Sequence, residues 1–273
     1  MSIPHTVTSS ASPGLRATVS HPWGVNPALQ LAQQGWYCER DFFDADEVRV
    51  LRTAIAAALD DQAHQSLLLK PPGCGEVLPD LFRLPALYRR VFTARMAALL
   101  SRLIGEGLVL LPEHAAHRNG FGGWHKDTNM FEAAGSMAHW SSDYAVYQCG
   151  IYLQDNSPES GGGLSVVPGS HRVPRNPAQT EVVAQQHGVV LDSRAGDLVV
   201  FHTRLDHRAT PAQGQPPYGD KLALFFMAAQ DNQHAAAYCE FIHRRKDYTY
   251  LRTYRTPDDL QTLARAQGIR FAD

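Results

Sequence analysis

The stretch Ala195-Gly-Asp-Leu-Val-Val-Phe-His-Thr-Arg-Leu-Asp-His-Arg208 combines a turn, a β-strand and a histidine just beyond the strand. Gly196 and Asp197 are typical turn residues, and the residues from Leu198 to His202 alternate as those of a strand do. His207 follows where the strand ends, and a side chain at that position can serve as a metal ligand. The stretch therefore predicts a β-protein with a candidate metal ligand at a strand end.

Short apolar runs separated by Gly, Pro and Asn occur on both sides of this stretch, from Leu108 onward. Their spacing is typical of an antiparallel sandwich or jelly roll rather than of parallel βαβ units. The candidate strands are residues 108–111, 146–153, 164–167, 189–191, 197–202, 222–229 and 237–242. The predicted core is therefore mainly β.

Helical patterns flank the predicted strands. A capping-box pattern at Asp44 and Glu47, followed by apolar residues at helical spacing, predicts a helix over 45–60. One apolar stripe predicts a second helix over 85–104, and a Thr-Pro start predicts a last helix over 257–267. We therefore expect helices to precede and to follow the β core.

These patterns predict a single domain over residues 23–273, preceded by a flexible tail over 1–22 that is rich in Ser, Thr and Pro. Within the domain, helical support over 23–107 leads into a jelly-roll core over 108–245. A C-terminal helix follows within 256–268.

Composition and charge argue against several classes of protein. The chain has 273 residues, of which 44% are hydrophobic and 19% charged, so it can bury a substantial core. Lys and Arg number 25 against 27 Asp and Glu, which leaves no basic excess for binding nucleic acid. The apolar run 222–229 is too short to cross a membrane, and we expect no membrane partner. Without a signal-peptide pattern, and with four widely separated cysteines, a cytoplasmic location is expected.

A histidine and an aspartate stand two residues apart in Gly122-Gly-Trp-His-Lys-Asp127. In an extended segment both side chains point to the same side, so both can reach one metal ion. With His207 they form the two-histidine, one-carboxylate set of non-haem Fe(II) oxygenases, which leaves coordination positions open. The same ligands would serve a zinc hydrolase. A jelly-roll protein that only binds a ligand is a third interpretation.

Several blocks of the sequence resemble the phytanoyl-CoA dioxygenase (PhyH) family of Fe(II)- and 2-oxoglutarate-dependent oxygenases. They are Gln33-Gln-Gly-Trp-Tyr37, Trp124-His-Lys-Asp127, Gly162-Gly-Leu-Ser-Val-Val-Pro-Gly-Ser-His171, and Gly196-Asp-Leu-Val-Val-Phe-His202 leading to His207. The resemblance implies a double-stranded β-helix, a cupin-like jelly roll that is mainly β with flanking helices. It also implies that His125, Asp127 and His207 bind Fe(II), with 2-oxoglutarate and O2 as co-substrates.

The activity that the resemblance implies is that of a 2-oxoglutarate-dependent dioxygenase (EC 1.14.11 type). Such an enzyme hydroxylates an unactivated C–H bond and releases succinate and CO2, and here we expect a soluble small molecule as substrate. Desaturation, cyclisation and demethylation would use the same iron site. The sequence leaves open the choice among these reactions, the identity of the substrate and the oligomeric state.

The resemblance further implies a basic residue on the strand after the distal histidine, where it pairs with the far carboxylate of 2-oxoglutarate. Lys221 stands there, whereas the family more often has Arg. Arg208 and Arg204 are competing partners for that carboxylate. Thr210 is the hydroxyl nearest to the position of a family serine, and Asn119 falls where family members contact 2-oxoglutarate.

Candidate substrate contacts lie mainly between the His–Asp pair and the next strand. Trp140, Tyr144 and Gln148 belong to a region that covers the iron in this family, and an aromatic loop there can close over a substrate and exclude water. Arg118, just before the pair, is a further candidate for lining the cavity. The Gly161-Gly-Gly163 run predicts a tight turn rather than a phosphate site.

Overall fold

The computed structural model describes residues 26–70, 75–81, 84–120, 122–174, 176–214, 219–245 and 255–272. The tail expected over 1–22 lies outside the described residues, as does Cys74. The division into one domain with internal boundaries stays a prediction. Within the described ranges, no helix has the length and apolar character that spanning a bilayer requires.

Two β-sheets form the body of the protein. The larger has the strand order β1-β7-β4-β9-β3-β10, with β2 also paired to β3, and the smaller has the order β6-β5-β8. All pairs are antiparallel except that of β10 with β3. The strands are β1 (Trp36–Glu39), β2 (Glu76–Pro79), β3 (Leu108–Arg118), β4 (Val146–Tyr152), β5 (Leu164–Val166), β6 (Val189–Val190), β7 (Leu198–His202), β8 (His207–Ala209), β9 (Leu222–Gln230) and β10 (Arg270–Phe271).

Strand alternation divides the side chains of the larger sheet between two faces. On β9, Leu224 and Phe226 join the apolar core beneath the helices, whereas Phe225 packs against the cluster that the two sheets share. That cluster combines Phe201 of β7 with Leu164 of β5. The inward face therefore borders the space between the sheets, and the outward face anchors the helices.

The helices before β3 and the last helix pack against the outer face of the larger sheet, the helix after β9 packs against Met227 and Ala229 of its other face, and the helix before β6 packs near Val167. They are α1 (Pro27–Gln34), α2 (Ala45–Asp60), α3 (Pro85–Val91), α4 (Ala94–Ile104), α5 (Asn129–Ala133), α6 (Pro177–His187), α7 (Gln233–Arg244) and α8 (Asp258–Ala266). Helix α2 begins at the predicted capping box, with the Asp44 side chain accepting from the Glu47 N–H and the Glu47 side chain accepting from the Asp44 N–H.

Two predictions of local structure are wrong. The helix expected over 85–104 is two helices, because Thr93 leaves the helical conformation and its side chain caps α4. The strand expected over 237–242 lies inside α7, where Asn232 is the N-cap. The buried residues of α7 recur at helical spacing, a period that the short apolar run conceals; they are Ala235, Tyr238, Cys239 and Ile242.

Candidate active site

A pair of reciprocal backbone hydrogen bonds joins the two histidines of the predicted triad. The His125 N–H donates to the His207 carbonyl at 2.9 Å, and the His207 N–H donates to the His125 carbonyl at 2.9 Å. His207 opens β8 and pairs on its other side with Val166 of β5. Antiparallel residues that exchange both bonds have Cα atoms about 5.5 Å apart, so the two imidazoles can share one ion.

Both histidines direct Nε2 toward Asp127. The Nε2 atoms of His125 and His207 lie 3.7 and 3.6 Å from Asp127 Oδ1. One ligand atom from each of the three residues falls within 4.8 Å of the others. The opposite ring nitrogens, Nδ1, donate to the carbonyls of Gly123 at 2.8 Å and Leu205 at 2.9 Å. Because a carbonyl only accepts, Nδ1 carries the proton and Nε2 presents its lone pair.

The electrostatics of this triad fit a divalent metal ion. Oδ2 of Asp127 is buried and has no hydrogen-bond partner among the described residues. Burial, together with the charge of Glu113, raises the pKa of Asp127 well above 3.8. Burial also lowers the pKa of His125, and that of His207 well below 6.5. Two neutral imidazoles and a buried carboxylate with one oxygen that accepts no hydrogen bond form the donor set that a cation would complete.

A buried ion pair lies beside the ligands. Lys126, between His125 and Asp127, places Nζ 3.1 Å from Oδ1 of Asp206, the residue before His207, and both side chains have 0% exposure. Nζ also donates to the carbonyls of Ser170 at 2.9 Å and Arg204 at 2.6 Å. The pair therefore ties the loop of the His–Asp pair to the strand of the distal histidine. Sequence reasoning missed it, because neither residue is a metal ligand.

The triad lies on the wall of a cavity of about 440 Å³ between the two sheets, a volume typical of small-molecule sites. Inward residues of β4, β7 and β9 supply an apolar and aromatic part of the wall. Gln148, a predicted substrate contact, also lines the cavity, and so does Lys221.

Asn119 and the glycine turn fix the position of Lys221. The Asn119 side-chain oxygen accepts from the Lys221 backbone N–H at 2.9 Å, and the Asn119 backbone N–H donates to the Lys221 carbonyl at 2.8 Å. A Cβ on Gly162 would come within 2.8 Å of Cγ and Cδ of Lys221, and φ is +85° there. Nζ donates to Ser160 Oγ at 2.9 Å and to the Asp155 carbonyl at 3.4 Å. The predicted turn over Gly161–Gly163 therefore also packs against the aliphatic part of the Lys221 side chain.

Three other residues predicted to contact 2-oxoglutarate lie outside the cavity lining. The Arg208 guanidinium lies 4.8 Å from the centre of the Trp124 ring. Oγ1 of Thr210 lies 2.9 Å from Ser165 Oγ. Arg204 donates to the carbonyls of residues 139 and 141 at 3.0 and 3.3 Å. Each is engaged in contacts within the protein.

The remaining candidate substrate contacts also lie away from the cavity wall. Trp140 Nε1 donates to Glu132 at 3.0 Å. Tyr144 is buried, with its hydroxyl 3.0 Å from Thr203 Oγ1. Arg118 forms ion pairs with acidic side chains, Asp60 at 2.9 Å and Glu76 at 3.0 Å among them.

Three polar residues that sequence reasoning did not select line the same cavity: Glu113 of β3, Tyr238 of α7 and Arg245. The Tyr238 hydroxyl donates to Glu113 Oε2 at 2.7 Å, and Nη1 of Arg245 lies 3.4 Å from Glu113 Oε1. Recognising α7 as a helix would have provided a signal, because Tyr238 and Arg245 stand two helical turns apart on one face. The position of Glu113 depends on a β-bulge that has no local sequence signature.

The jelly roll and its convergent histidine–aspartate–histidine cluster define a protein of the non-haem Fe(II) oxygenase class. The sequence model described as phytanoyl-CoA dioxygenase (PhyH) matches residues 31–216. The chain belongs to this family. Membership confirms the predicted dependence on Fe(II) and 2-oxoglutarate, with which O2 as co-substrate is consistent.

Solved structures share the fold. EctD from S. alaskensis with bound Fe has a TM-score of 0.61 and 21% identity, covering 81% of this chain and 82% of that one. HygX from Streptomyces hygroscopicus with nickel and 2-oxoglutarate has a TM-score of 0.58 and 19% identity, covering 77% and 88%. SnoN, a non-heme alpha ketoglutarate dependent epimerase from nogalamycin biosynthesis, has a TM-score of 0.58 and 20% identity, covering 75% and 79%. They confirm the jelly-roll prediction. No curated protein matches the chain significantly.

Proposed function

We propose that the chain is a 2-oxoglutarate-dependent dioxygenase that hydroxylates an unactivated C–H bond of a soluble small molecule and releases succinate and CO2. The observation that carries the proposal is the convergence of His125, Asp127 and His207 on the wall of a cavity of about 440 Å³. Iron with 2-oxoglutarate and O2 supplies the oxidising chemistry when bound. EctD and HygX structures with 5-hydroxyectoine and hygromycin B support a small-molecule substrate.

The three ligands hold the metal in a preorganised geometry. The reciprocal backbone bonds between His125 and His207 set the spacing of the imidazoles, and the Nδ1–H bonds to carbonyls fix their tautomers. Asp127 supplies the negative charge, and a bound metal ion would provide an opposite charge for this buried carboxylate. Because three protein ligands are present, the other positions remain for the co-substrates.

Lys221 anchors the far carboxylate of 2-oxoglutarate in this proposal. Lys126, Lys221 and Arg245 are the Lys and Arg residues among the described residues that line the cavity. Lys126 is paired with Asp206 and Arg245 with Glu113, whereas Lys221 donates to neutral oxygens. The Lys221 ammonium group can therefore pair with an incoming carboxylate. It would bind that carboxylate as a point charge, whereas an arginine would form two parallel hydrogen bonds.

The apolar part of the wall keeps water away from the reacting centre. Phe201, Phe225 and Met227 line the cavity beside the polar groups. A reactive site in such surroundings is protected from side reactions with solvent. Cys38 and Cys149 are free thiols among the described residues, which supports the cytoplasmic location that we propose.

Anaerobic titration of the apo-protein with Fe(II) and then 2-oxoglutarate tests the cofactor assignment. We expect a weak visible charge-transfer band once the keto acid chelates the bound iron. An Asp127→Ala variant should lose the band and the bound iron. A Lys221→Ala variant should bind iron as the parent does but require much more 2-oxoglutarate for the same band.

Succinate release in air then tests turnover. Release that depends on Fe(II), 2-oxoglutarate and O2, and that rises with a substrate, supports the proposal. Bound iron without a band, or activity with zinc that does not need O2, would instead support the hydrolase alternative. If Lys221→Ala needs no more 2-oxoglutarate than the parent for the same band, Lys221 is not the anchor. Arg245 is then the leading candidate, because it lines the cavity.

A further inference from the structure

The polar residues Glu113, Tyr238 and Arg245 form a charged cluster on the cavity wall that the oxygenase chemistry does not use. Glu113 lies on β3 at the point where its register with β9 shifts between Leu111 and His114, and a bulge of this kind re-aims a side chain. Tyr238 and Arg245 come from α7 and the residue that ends it. Two distant segments thus build one polar wall.

The geometry of the cluster keeps a negative and a positive group side by side. The Tyr238 hydroxyl donates to one Glu113 oxygen at 2.7 Å, and Nη1 of Arg245 lies 3.4 Å from the other. Exposure of the Arg245 and Glu113 side chains is 15% and 18%, and both residues line the cavity. At this degree of burial, charge interactions with a bound molecule are stronger than in bulk water.

The cluster lies far from the proposed 2-oxoglutarate anchor. Asn119, just after β3, pairs with the backbone of Lys221, and Glu113, within β3, precedes Asn119 by six positions. At about 3.3 Å per residue, six positions of extended backbone separate Asn119 from Glu113 by up to about 20 Å. One cavity therefore has two charged ends, and the Lys221 end is the one assigned to the co-substrate.

We propose that Glu113, Tyr238 and Arg245 form the substrate subsite, and that it binds a zwitterionic small molecule, with an ammonium group at the Glu113 carboxylate and a carboxylate at the Arg245 guanidinium. The inference rests on the proposed function, because it assigns the substrate end of that site. A ligand with one charge would separate the pair and leave one member uncompensated, whereas a zwitterion satisfies both. The hydrogen bond from the Tyr238 hydroxyl positions the Glu113 carboxylate.

Three ring compounds of matched size test the proposal: pipecolate, which is zwitterionic, piperidine, which is cationic, and cyclohexanecarboxylate, which is anionic. Their dissociation constants are measured by calorimetry on the anaerobic protein with Fe(II) and 2-oxoglutarate, and on the metal-free protein. We expect pipecolate to bind at least tenfold more tightly than either singly charged compound. A tenfold difference corresponds to about 1.4 kcal/mol.

Variants assign each charge. Glu113→Gln should abolish the preference for pipecolate over cyclohexanecarboxylate, and Arg245→Gln should abolish its preference over piperidine. Tyr238→Phe keeps both charges and should weaken pipecolate binding by a smaller factor. Glu240→Gln and Arg244→Gln are matched controls, because these residues form an exposed pair on the same helix, and they should bind all three probes as the parent does.

Equal binding of the three probes, no binding of any of them, or unchanged discrimination in both Glu113→Gln and Arg245→Gln would overturn the subsite. The thermal midpoint of each variant is measured alongside, so that a folding defect is recognised, and Tyr238→Phe then provides the milder test. The charge-transfer band with Fe(II) and 2-oxoglutarate forms without any probe. Its failure refutes the cofactor assignment, whereas probe binding by calorimetry reports on the subsite alone.

Discussion

Removing the buried charge of Lys126 should destabilise the protein far more than a surface mutation does. Its three ammonium protons match three acceptors: Asp206 Oδ1 at 3.1 Å, and the carbonyls of Ser170 and Arg204. Lys126→Met keeps much of the side-chain volume but leaves the Asp206 carboxylate buried without its counter-charge. Breaking such a pair from one side costs about 3–5 kcal/mol.

A double-mutant cycle separates the pair from its surroundings. Asp206→Leu should also lose about 3–5 kcal/mol, whereas Lys126→Met with Asp206→Leu should lose much less than the sum, because no charge is then buried alone. The free energy of unfolding is measured by urea titration of the metal-free variants. Asp46→Asn is a suitable control, because it removes one member of an exposed helical pair, and we expect a change within about 0.5 kcal/mol.

The same cycle tests whether the pair positions the ligands. If the double variant folds, its affinity for Fe(II) should still fall by about 10–100-fold, as it does when groups that orient metal ligands are lost. Additive losses of stability, or single losses below about 1 kcal/mol, would refute the assignment of a coupled buried pair. Parent-like iron binding in a folded double variant would refute its positioning role.

Further outcomes follow from the same structure. Asp127→Asn should make the metal-free protein more stable at neutral pH, because the raised pKa of Asp127 marks a destabilised carboxylate, while Fe(II) should no longer raise the thermal midpoint. Lys221→Arg should retain most of the 2-oxoglutarate affinity that Lys221→Ala loses. Gly162→Ala should raise the KM for 2-oxoglutarate with little change in Fe(II) affinity, because the new Cβ displaces the lysine stem. Burial lowers the pKa of His114 to about 3 and of His117 to about 4, so the unfolded chain takes up protons first as the pH falls below about 6.5. The stability that these neutral histidines contribute is therefore fully present above about pH 6.5. Below that pH the free energy of unfolding falls by up to about 1.4 kcal/mol per histidine and pH unit, until the pH reaches the folded pKa values. In a His117→Gln variant the free energy of unfolding should fall less steeply with pH.

The predictions that held rest on local patterns. The capping box at Asp44 starts α2 because its two hydrogen bonds connect residues three apart. Short apolar runs between turn residues placed β7 and β9 within a residue of their positions, since a strand buried on both faces is apolar along its length. The extended segment expected at His125 and Asp127 does not continue through Asp127, which lies in a turn, so their spacing in the sequence does not by itself explain why the two side chains meet.

Tertiary structure alone decided the contacts that make these residues a site. The bridge between His125 and His207, the pairing of Lys126 with Asp206 and the meeting of Glu113 with α7 all join segments distant in the chain. Strand register, a bulge and helix packing set those contacts, and each is a property of the whole fold. The sequence by itself determined which residues could bind a metal, whereas the packing of the two sheets determined which charges line the cavity.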